Sequence, residues 1–163
     1  MRIAVTLVDD RWVPETDSAS NSRFAHEMLL QNAAQAAAFR PLVNTTQSPE
    51  AHVAALNADP RRTLPDAAVL GMGEHGYTAS IFADAPEWDF AITAPERFVA
   101  AHWGSAPHAR VSWSMSALKQ MCRLFLLIAG SAQAGRAACR RRCVTKNFIS
   151  KLANDKGVGF DVY

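Results

Sequence analysis

Apolar residues in this chain fall in short unbroken runs between polar stretches, which is the pattern of strands buried in a parallel sheet. The first run occupies residues 3–8 (IAVTLV) and ends in two acids, Asp9 and Asp10. Other short runs follow at regular intervals along the chain. We predict a strand at the first run and further strands at 39–43, 67–71, 110–114 and 123–129.

Residues at helical spacing separate these runs. A helix beginning at Arg23 is predicted by the apolar residues Phe24, Met28, Leu29 and Ala36. A second helix starts at 48–50, where a serine, a proline and an acid suit the N-cap, the first helical position and the first turn. We also expect a helix to begin at 78–82 and to stop before Pro86, and an alanine-rich helix at 130–142.

The alternation of strands and helices predicts an α/β fold, with a mostly parallel Rossmann-like sheet in three layers and helices on both faces. Ligands of such sheets bind beyond the carboxyl ends of the strands. Candidate chemistry follows two of the predicted strands and begins a third: Asp9 and Arg11 come after the first, the glycine turn at 71–77 after the central one, and Arg110 at the start of a later one.

Composition places the chain among globular proteins. A length of 163 residues suits one domain, 49% of the residues are hydrophobic, and no apolar run approaches the roughly 18 residues of a membrane span. No signal-peptide pattern follows Met1, so the cytoplasm is expected. Three of the four lysines lie in the last eighteen residues. This change in composition predicts a domain at 1–143 and a divergent tail at 144–163.

Charge and cysteine content add little chemistry. The formal net charge is +2, and four arginines crowd positions 136–142. Such a cluster suits nucleic acid, but it also suits the solvated, cation-rich end of a helix, which we favour, so no nucleic-acid partner is expected. Cys122, Cys139 and Cys143 are too few and too unevenly spaced for a zinc site, and we expect reduced thiols and no metal.

The glycine turn spells G-x-G-x-x-G with Gly71, Gly73 and Gly76. This spacing alone is a weak sign of dinucleotide binding, because the fingerprint should open the first βαβ unit and lead into a long helix. Here Pro86 interrupts the chain within about ten residues of the turn. We therefore expect no nucleotide cofactor.

Five motifs occur in an order typical of one family: VDDRWVP at 8–14, Ser20 with Asn21, LGMGEHGYTASIF at 70–82, ARVSWS at 109–114 and IAGSAQA at 128–134. The chain resembles the 6-phosphogluconolactonase family, whose sugar-phosphate isomerase-like fold is shared with glucosamine-6-phosphate deaminases. The letters TASIF favour the lactonase branch. The resemblance implies a cofactor-free hydrolase that opens 6-phospho-D-glucono-1,5-lactone to 6-phosphogluconate in the oxidative pentose phosphate pathway.

The resemblance also implies a site. Arg11 and Arg110 would hold the phosphate or the sugar acid, Asp9 would position hydroxyls, and the turn at Gly71, Gly73 and Gly76 would approach the substrate. The general base of the family is the histidine of G-x-D-G-H, a position occupied here by Tyr77, while His75 replaces the aspartate. A phenol titrates at about pH 10 and an imidazole at about 6.5, so tyrosine is the poorer base. His75 and Tyr77 are the catalytic candidates.

Two further departures concern the phosphate. Gln133 stands where the family usually has a lysine, and only eight residues precede Asp9, whereas the family carries a strand and an S-G-G loop further upstream. The resemblance therefore implies a sheet incomplete at its N-terminus and self-association through an exposed sheet edge. Four interpretations stay open: a lactonase of full or reduced activity, a non-catalytic sugar-phosphate binder, a truncated or frameshifted lactonase copy, and a deaminase-like isomerase.

Overall fold

Strands and helices alternate along the chain in a computed structural model that describes residues 3–73, 77–102, 106–128, 148–153 and 160–162. The strands in this part are β1 (Ala4–Thr6), β2 (Asp9–Arg11), β3 (Ala38–Arg40), β4 (Ala67–Gly71), β5 (Phe98–Ala101), β6 (Arg110–Trp113), β7 (Arg123–Leu127) and β8 (Phe160–Val162). The helices are α1 (Asn21–Met28), α2 (Pro49–Ala58), α3 (Trp88–Thr93), α4 (Met115–Lys119) and α5 (Phe148–Ala153), with a 3₁₀-helix at Asn32–Ala36. The predicted helix at 130–142 lies outside the described residues.

The strands form three small sheets. β1 pairs with β3 in parallel, and β4, β7 and β8 form a second parallel sheet in the order β4-β7-β8. The third sheet has the order β2-β6-β5 and is antiparallel. The α/β class and the mostly parallel pairing are confirmed, whereas the antiparallel sheet was not expected from the sequence.

The core lies on one face of the β4-β7 pair. Leu70, Leu124 and Leu126 are almost fully buried there, together with Trp113 and Leu118. Successive side chains of a strand point to opposite faces, and the alternate residues of the same two strands are open to solvent. Val69 is 64% exposed and Leu127 is 58% exposed. Among the residues that the structure describes, one face of this sheet therefore lacks the cover that parallel sheets normally have.

The predicted continuous strand at 3–8 is wrong in its extent. The chain leaves β1 after Thr6 and re-enters a different sheet as β2, which pairs with β6 so that Asp9 lies opposite Ser112. Trp113 explains the break, because its Nε1 donates to the carbonyl of Leu7 and its backbone nitrogen to that of Val8. Asp9 and Asp10 thus lie within a short strand and not on a turn.

The helix predicted from Arg23 to Ala36 ends early. α1 stops at Met28, and a 3₁₀-helix begins at Asn32, which has a left-handed φ of 53°. The apolar stripe that predicted the helix does not enter the core, since Phe24 is 64% exposed and Met28 is 68% exposed. The pattern identified a helix but not a partner for its apolar side.

The helix predicted at 78–82 is also wrong. Thr78 and Ile81 form an isolated antiparallel bridge, and Ala79 between them has a φ of 56°, a left-handed conformation that ends helical geometry. The helix begins only after Pro86, at Trp88. By contrast, the start of α2 is confirmed, because Ser48 caps the helix by accepting from the Ala51 nitrogen and Pro49 is its first residue.

Asp10 anchors the start of α1. Its carboxylate is buried and accepts from the backbone nitrogens of Arg11, Asn21 and Ser22 and from the Ser22 hydroxyl, at 2.7–3.2 Å. A carboxylate at a helix N-terminus also stabilises the helix dipole. Asp10 is therefore a structural residue.

Asp10→Ala is expected to lower the free energy of unfolding by about 3 kcal/mol, because it leaves buried N–H donors without an acceptor. Urea denaturation measures the change. Asp89→Ala, which removes an exposed acid in the first turn of α3, is the matched control and should cost about 0.5 kcal/mol or less. Equal urea midpoints for Asp10→Ala and the wild type would contradict this role.

Candidate active site

A cleft of about 1090 Å³ opens between β1 and β4. One end of it is lined by all the predicted site residues that the structure describes: Asp9, Arg11, Gly71, Gly73, Tyr77 and Arg110. The chain brings them together from β2, from the end of β4, from the turn that follows it and from β6. His75 and Gly76, the two other predicted site residues, lie outside the described residues.

Asp9 and Arg110 form the charged centre of this end. The Ser80 hydroxyl donates to Asp9 Oδ2 at 2.5 Å, and Arg110 Nη1 lies 3.8 Å from the same oxygen. Burial raises the pKa of the Asp9 carboxyl above its usual value, while the Ser80 hydrogen bond and the Arg110 cation partly oppose this rise. A carboxylate with a raised pKa is a better proton acceptor than an ordinary one.

Arg110 lies on an aromatic ring. Its guanidinium carbon is 5.4 Å from the centroid of the Phe82 ring, and its side chain is only 15% exposed. Burial lowers the pKa of Arg110, which Asp9 counteracts, and an arginine remains charged at neutral pH in either case. Its Nε is buried without a hydrogen-bond partner in the described part of the chain. This donor and the positive charge are suited to an anionic ligand.

Part of the hydrogen-bonding capacity of Arg11 is used within the fold. Its Nη1 donates to the Ala19 carbonyl at 2.8 Å and to Asn21 Oδ1 at 3.2 Å. Asn21 in turn donates from Nδ2 to the Asp9 carbonyl at 3.0 Å. Arg11 therefore ties the start of α1 to β2 while its charge lies on the cleft wall, and Arg110 is the cation with the larger unused donor capacity.

The glycine turn is closed by Tyr77. The Gly73 nitrogen donates to the Tyr77 carbonyl at 2.9 Å, and the Thr78 hydroxyl donates to the Gly71 carbonyl at 2.9 Å. The Tyr77 ring lies over Gly73 so closely that a Cβ at position 73 would overlap it. The ring also contacts Phe82, with the centroids 4.6 Å apart. Glycine is therefore required at 73 by the close approach of this ring, and the Gly73 N–H is already used within the turn.

Sequence reasoning missed two residues that shape the site. Ser80 fixes the Asp9 carboxylate, and its own nitrogen donates to the buried Ser112 hydroxyl at 3.3 Å. Both serines are fully buried. The signal was present, because a small polar residue between apolar ones is often retained for a specific hydrogen bond. In the sequence, Ser80 is only one letter of the TASIF motif.

Ser80→Ala is expected to raise the pKa of Asp9 further, because the hydrogen bond that it removes favours the charged carboxylate. The protonated form of Asp9 then persists to higher pH. Any activity that needs ionised Asp9 therefore begins to fall at a higher pH on acidification than it does in the wild type. A carbon NMR titration of the Asp9 carboxyl measures the shift. Ser116→Ala on α4 is the control, and an unchanged Asp9 titration in Ser80→Ala would refute the coupling.

Within the ranges that the structure covers, no three or more His, Cys, Asp or Glu side chains are grouped to hold a metal ion. No helix among those residues has both the length and the apolar character to cross a membrane. Cys122 is an exposed free thiol, and Cys139 and Cys143 lie outside the described residues.

Known proteins resemble this chain over most of its length. The family described as glucosamine-6-phosphate isomerases/6-phosphogluconolactonase matches residues 1–145. A 6-phosphogluconolactonase of Neisseria meningitidis is 38% identical over 133 residues, which are 78% of this chain and 58% of that protein. The enzyme of the same name from Helicobacter pylori strain J99 is 31% identical over 161 residues, which are 98% of this chain and 70% of that protein.

A solved structure resembles the fold as well. The crystal structure of a 6-phosphogluconolactonase from Shewanella baltica superposes with a TM-score of 0.82 at 34% identity, over 96% of this chain and 69% of that one. The chain spans 58% of the length of the Neisseria meningitidis 6-phosphogluconolactonase. Because sequence, motif order and fold agree, the chain belongs to the glucosamine-6-phosphate isomerase/6-phosphogluconolactonase family.

Proposed function

We propose that the cleft is the active site of a lactone hydrolase that opens 6-phospho-D-glucono-1,5-lactone to 6-phosphogluconate, a step of the oxidative pentose phosphate pathway. The observation that carries the proposal is the pair formed by Asp9 and Arg110, a buried carboxylate beside a cation with an unused donor. The pair lies at the end of a cleft large enough for a sugar phosphate. The names of the relatives add support.

The reaction needs few groups. A water molecule gives up a proton as its oxygen bonds to the lactone carbonyl carbon, and the carbonyl oxygen becomes an oxyanion. The ring C–O bond then breaks, the ring oxygen takes up a proton, and the open-chain carboxylic acid results. A general base typically accelerates such a step by about 10²- to 10⁴-fold, and a donor aimed at the oxyanion makes a comparable contribution. The chemistry itself requires neither a metal nor a redox cofactor.

The chain offers a residue for each role. Arg110, assisted by the charge of Arg11, binds the phosphate or the developing acid, and Asp9 accepts hydrogen bonds from sugar hydroxyls. His75 takes the proton of water, and Tyr77 donates a hydrogen bond near the reacting carbonyl. Gly71 and Gly76 let the backbone approach the substrate because glycine has no side chain, whereas at Gly73 the Tyr77 ring takes up that space. The isomerase alternative is not favoured, since the three relatives reported above carry the lactonase name.

The test is the rate of lactone opening, measured by a coupled assay and corrected for spontaneous hydrolysis. The wild type should exceed the buffer rate, and His75→Ala should lower the catalysed rate by about 100-fold. His108→Ala, which removes a histidine that does not line the cleft, is the matched control. A folded wild-type protein that only reproduces the buffer rate would rule out hydrolysis.

A binding function without catalysis is the second candidate, and it is favoured by Tyr77 at the position of the family base. Calorimetry with 6-phosphogluconate separates the two. Binding that depends on Arg110, in a protein without hydrolytic activity, would support a sugar-phosphate binder. Absence of both binding and activity would reject both functions.

A further inference from the structure

Four polar side chains lie together on one face of the antiparallel sheet. β2 and β6 pair so that Asp9 lies opposite Ser112 and Arg11 lies opposite Arg110. Alternate residues of a strand point to the same face, so all four side chains share it. Like charges directly opposite each other repel, and the Arg11 cation is compensated by two oxygen atoms to which it donates. The Arg110 cation needs a different source of stabilisation.

The surroundings of Arg110 compensate its charge only in part. Its side chain is largely buried, its Nη1 is 3.8 Å from Asp9 Oδ2, and its Nε has no hydrogen-bond partner among the described residues. A separation of 3.8 Å is too long for a hydrogen bond. A guanidinium that is free to approach a carboxylate commonly forms two parallel hydrogen bonds with it, at about 2.7–2.9 Å. The fold therefore holds these two groups apart.

One short turn contacts both members of the pair. In the turn at 78–82, the Ser80 hydroxyl donates to Asp9 Oδ2 at 2.5 Å, and this is the oxygen that faces Arg110. Two residues further along, the Phe82 ring lies against Arg110, with the guanidinium carbon 5.4 Å from the ring centroid. Phe82 is only 2% exposed, so its surroundings fix the position of the ring. The turn thus determines where both charged groups lie.

An aromatic ring can hold a cation without using its hydrogen-bond donors. The face of the ring carries partial negative charge and attracts a guanidinium, most strongly where water is excluded. Burial lowers the pKa of Arg110, which means that the cation has lost solvation and gains from this attraction. A carboxylate would instead occupy the N–H groups of the guanidinium. Contact with Phe82 therefore stabilises Arg110 and leaves its donors available.

We propose that Phe82 is a positioning residue whose ring keeps the Arg110 guanidinium apart from Asp9, so that Arg110 presents its charge and its donors to the anionic group of the substrate. The identity of that substrate rests on the proposed function, whereas the position of Arg110 does not. Without the attraction of the ring, Arg110 closes on Asp9 and the two charges neutralise each other. The site then binds a phosphate group less strongly.

The proposal is tested by replacing Phe82, in the full chain, with phenylalanines that carry one, two or three fluorine atoms. Fluorine withdraws charge from the ring face with little change in ring shape. The affinity for 6-phosphogluconate, measured by calorimetry, is expected to fall stepwise by about tenfold over the series. Without ligand, a carbon NMR titration should place the Asp9 transition at stepwise lower pH, because the approach of Arg110 favours the charged carboxylate.

The same substitutions at Phe98 are the matched control, because Phe98 is as deeply buried but lies against Trp113. They should change neither the affinity nor the Asp9 titration. In Arg110→Met, fluorination of Phe82 should no longer move the Asp9 titration. A constant affinity and a constant Asp9 titration along the series, or a shift that persists in Arg110→Met, would overturn the proposal. A stepwise Asp9 titration in a protein that does not bind 6-phosphogluconate would support the positioning role and count against the proposed function.

Discussion

Arg110→Met is expected to weaken the binding of 6-phosphogluconate by about 10- to 100-fold. Hydrogen bonds to a charged group are worth about 1.5–3 kcal/mol, and each 1.4 kcal/mol is about tenfold in affinity. Methionine keeps the apolar contact with Phe82 but removes the charge and the donors beside Asp9. Isothermal calorimetry measures the change.

Arg40→Met is the control for this experiment, because Arg40 lines the same cleft but belongs to β3 and donates to the Arg61 carbonyl. Its effect on affinity should stay within about threefold. If Arg40→Met weakens binding as much as Arg110→Met, or if Arg110→Met leaves affinity unchanged, the anion does not bind beside Asp9. Circular dichroism of each variant confirms that the fold is kept.

Replacing two residues together, His75→Asp with Tyr77→His, is expected to raise the rate of lactone opening by about 10- to 100-fold. The change moves an imidazole to position 77, which lies over Gly73 and beside Phe82 at the Arg110 end of the cleft. The imidazole ring is smaller than the phenol, so it fits over Gly73, and it titrates at about pH 6.5, where a base is most useful at neutral pH. Initial rates under saturating substrate measure the gain.

Tyr77→Phe is the control for the double substitution, because it keeps the ring over Gly73 without adding a base. It should not raise the rate. A folded double variant that is no faster than the wild type would mean that the proton acceptor does not limit the reaction. In that event Asp9 is the alternative proton acceptor, because burial raises the pKa of its carboxyl.

Local signals in the sequence predicted much of the fold. β4 and β7 are predicted correctly because each is a short apolar run that ends at a glycine, and α2 is predicted correctly from its serine cap and its first-position proline. The pairing of strands that are distant in the chain could not be predicted from the sequence. The break between β1 and β2 depends on the bonds from Trp113 to Leu7 and Val8, more than one hundred residues away.

The candidate site was predicted in outline because its residues follow strand ends in recognisable motifs. What the sequence could not supply is the arrangement around them. A turn forms at 78–81 in place of the expected helix. The Thr78 hydroxyl donates to the Gly71 carbonyl and the Ser80 hydroxyl donates to Asp9, and such hydrogen bonds compete with helical geometry. Likewise, the apolar stripe at Phe24 and Met28 predicted a helix, but a stripe does not say what covers it.

The most direct test of the account compares kcat/KM for 6-phosphogluconolactone with that for gluconolactone, which lacks the phosphate, in the wild type and in Arg110→Met. A cleft that recognises the phosphorylated lactone through Arg110 predicts that the wild type prefers the phosphorylated substrate by about 100-fold and that Arg110→Met loses most of this preference. A preference that is the same in both proteins, or a wild type that opens neither lactone faster than buffer, would contradict it.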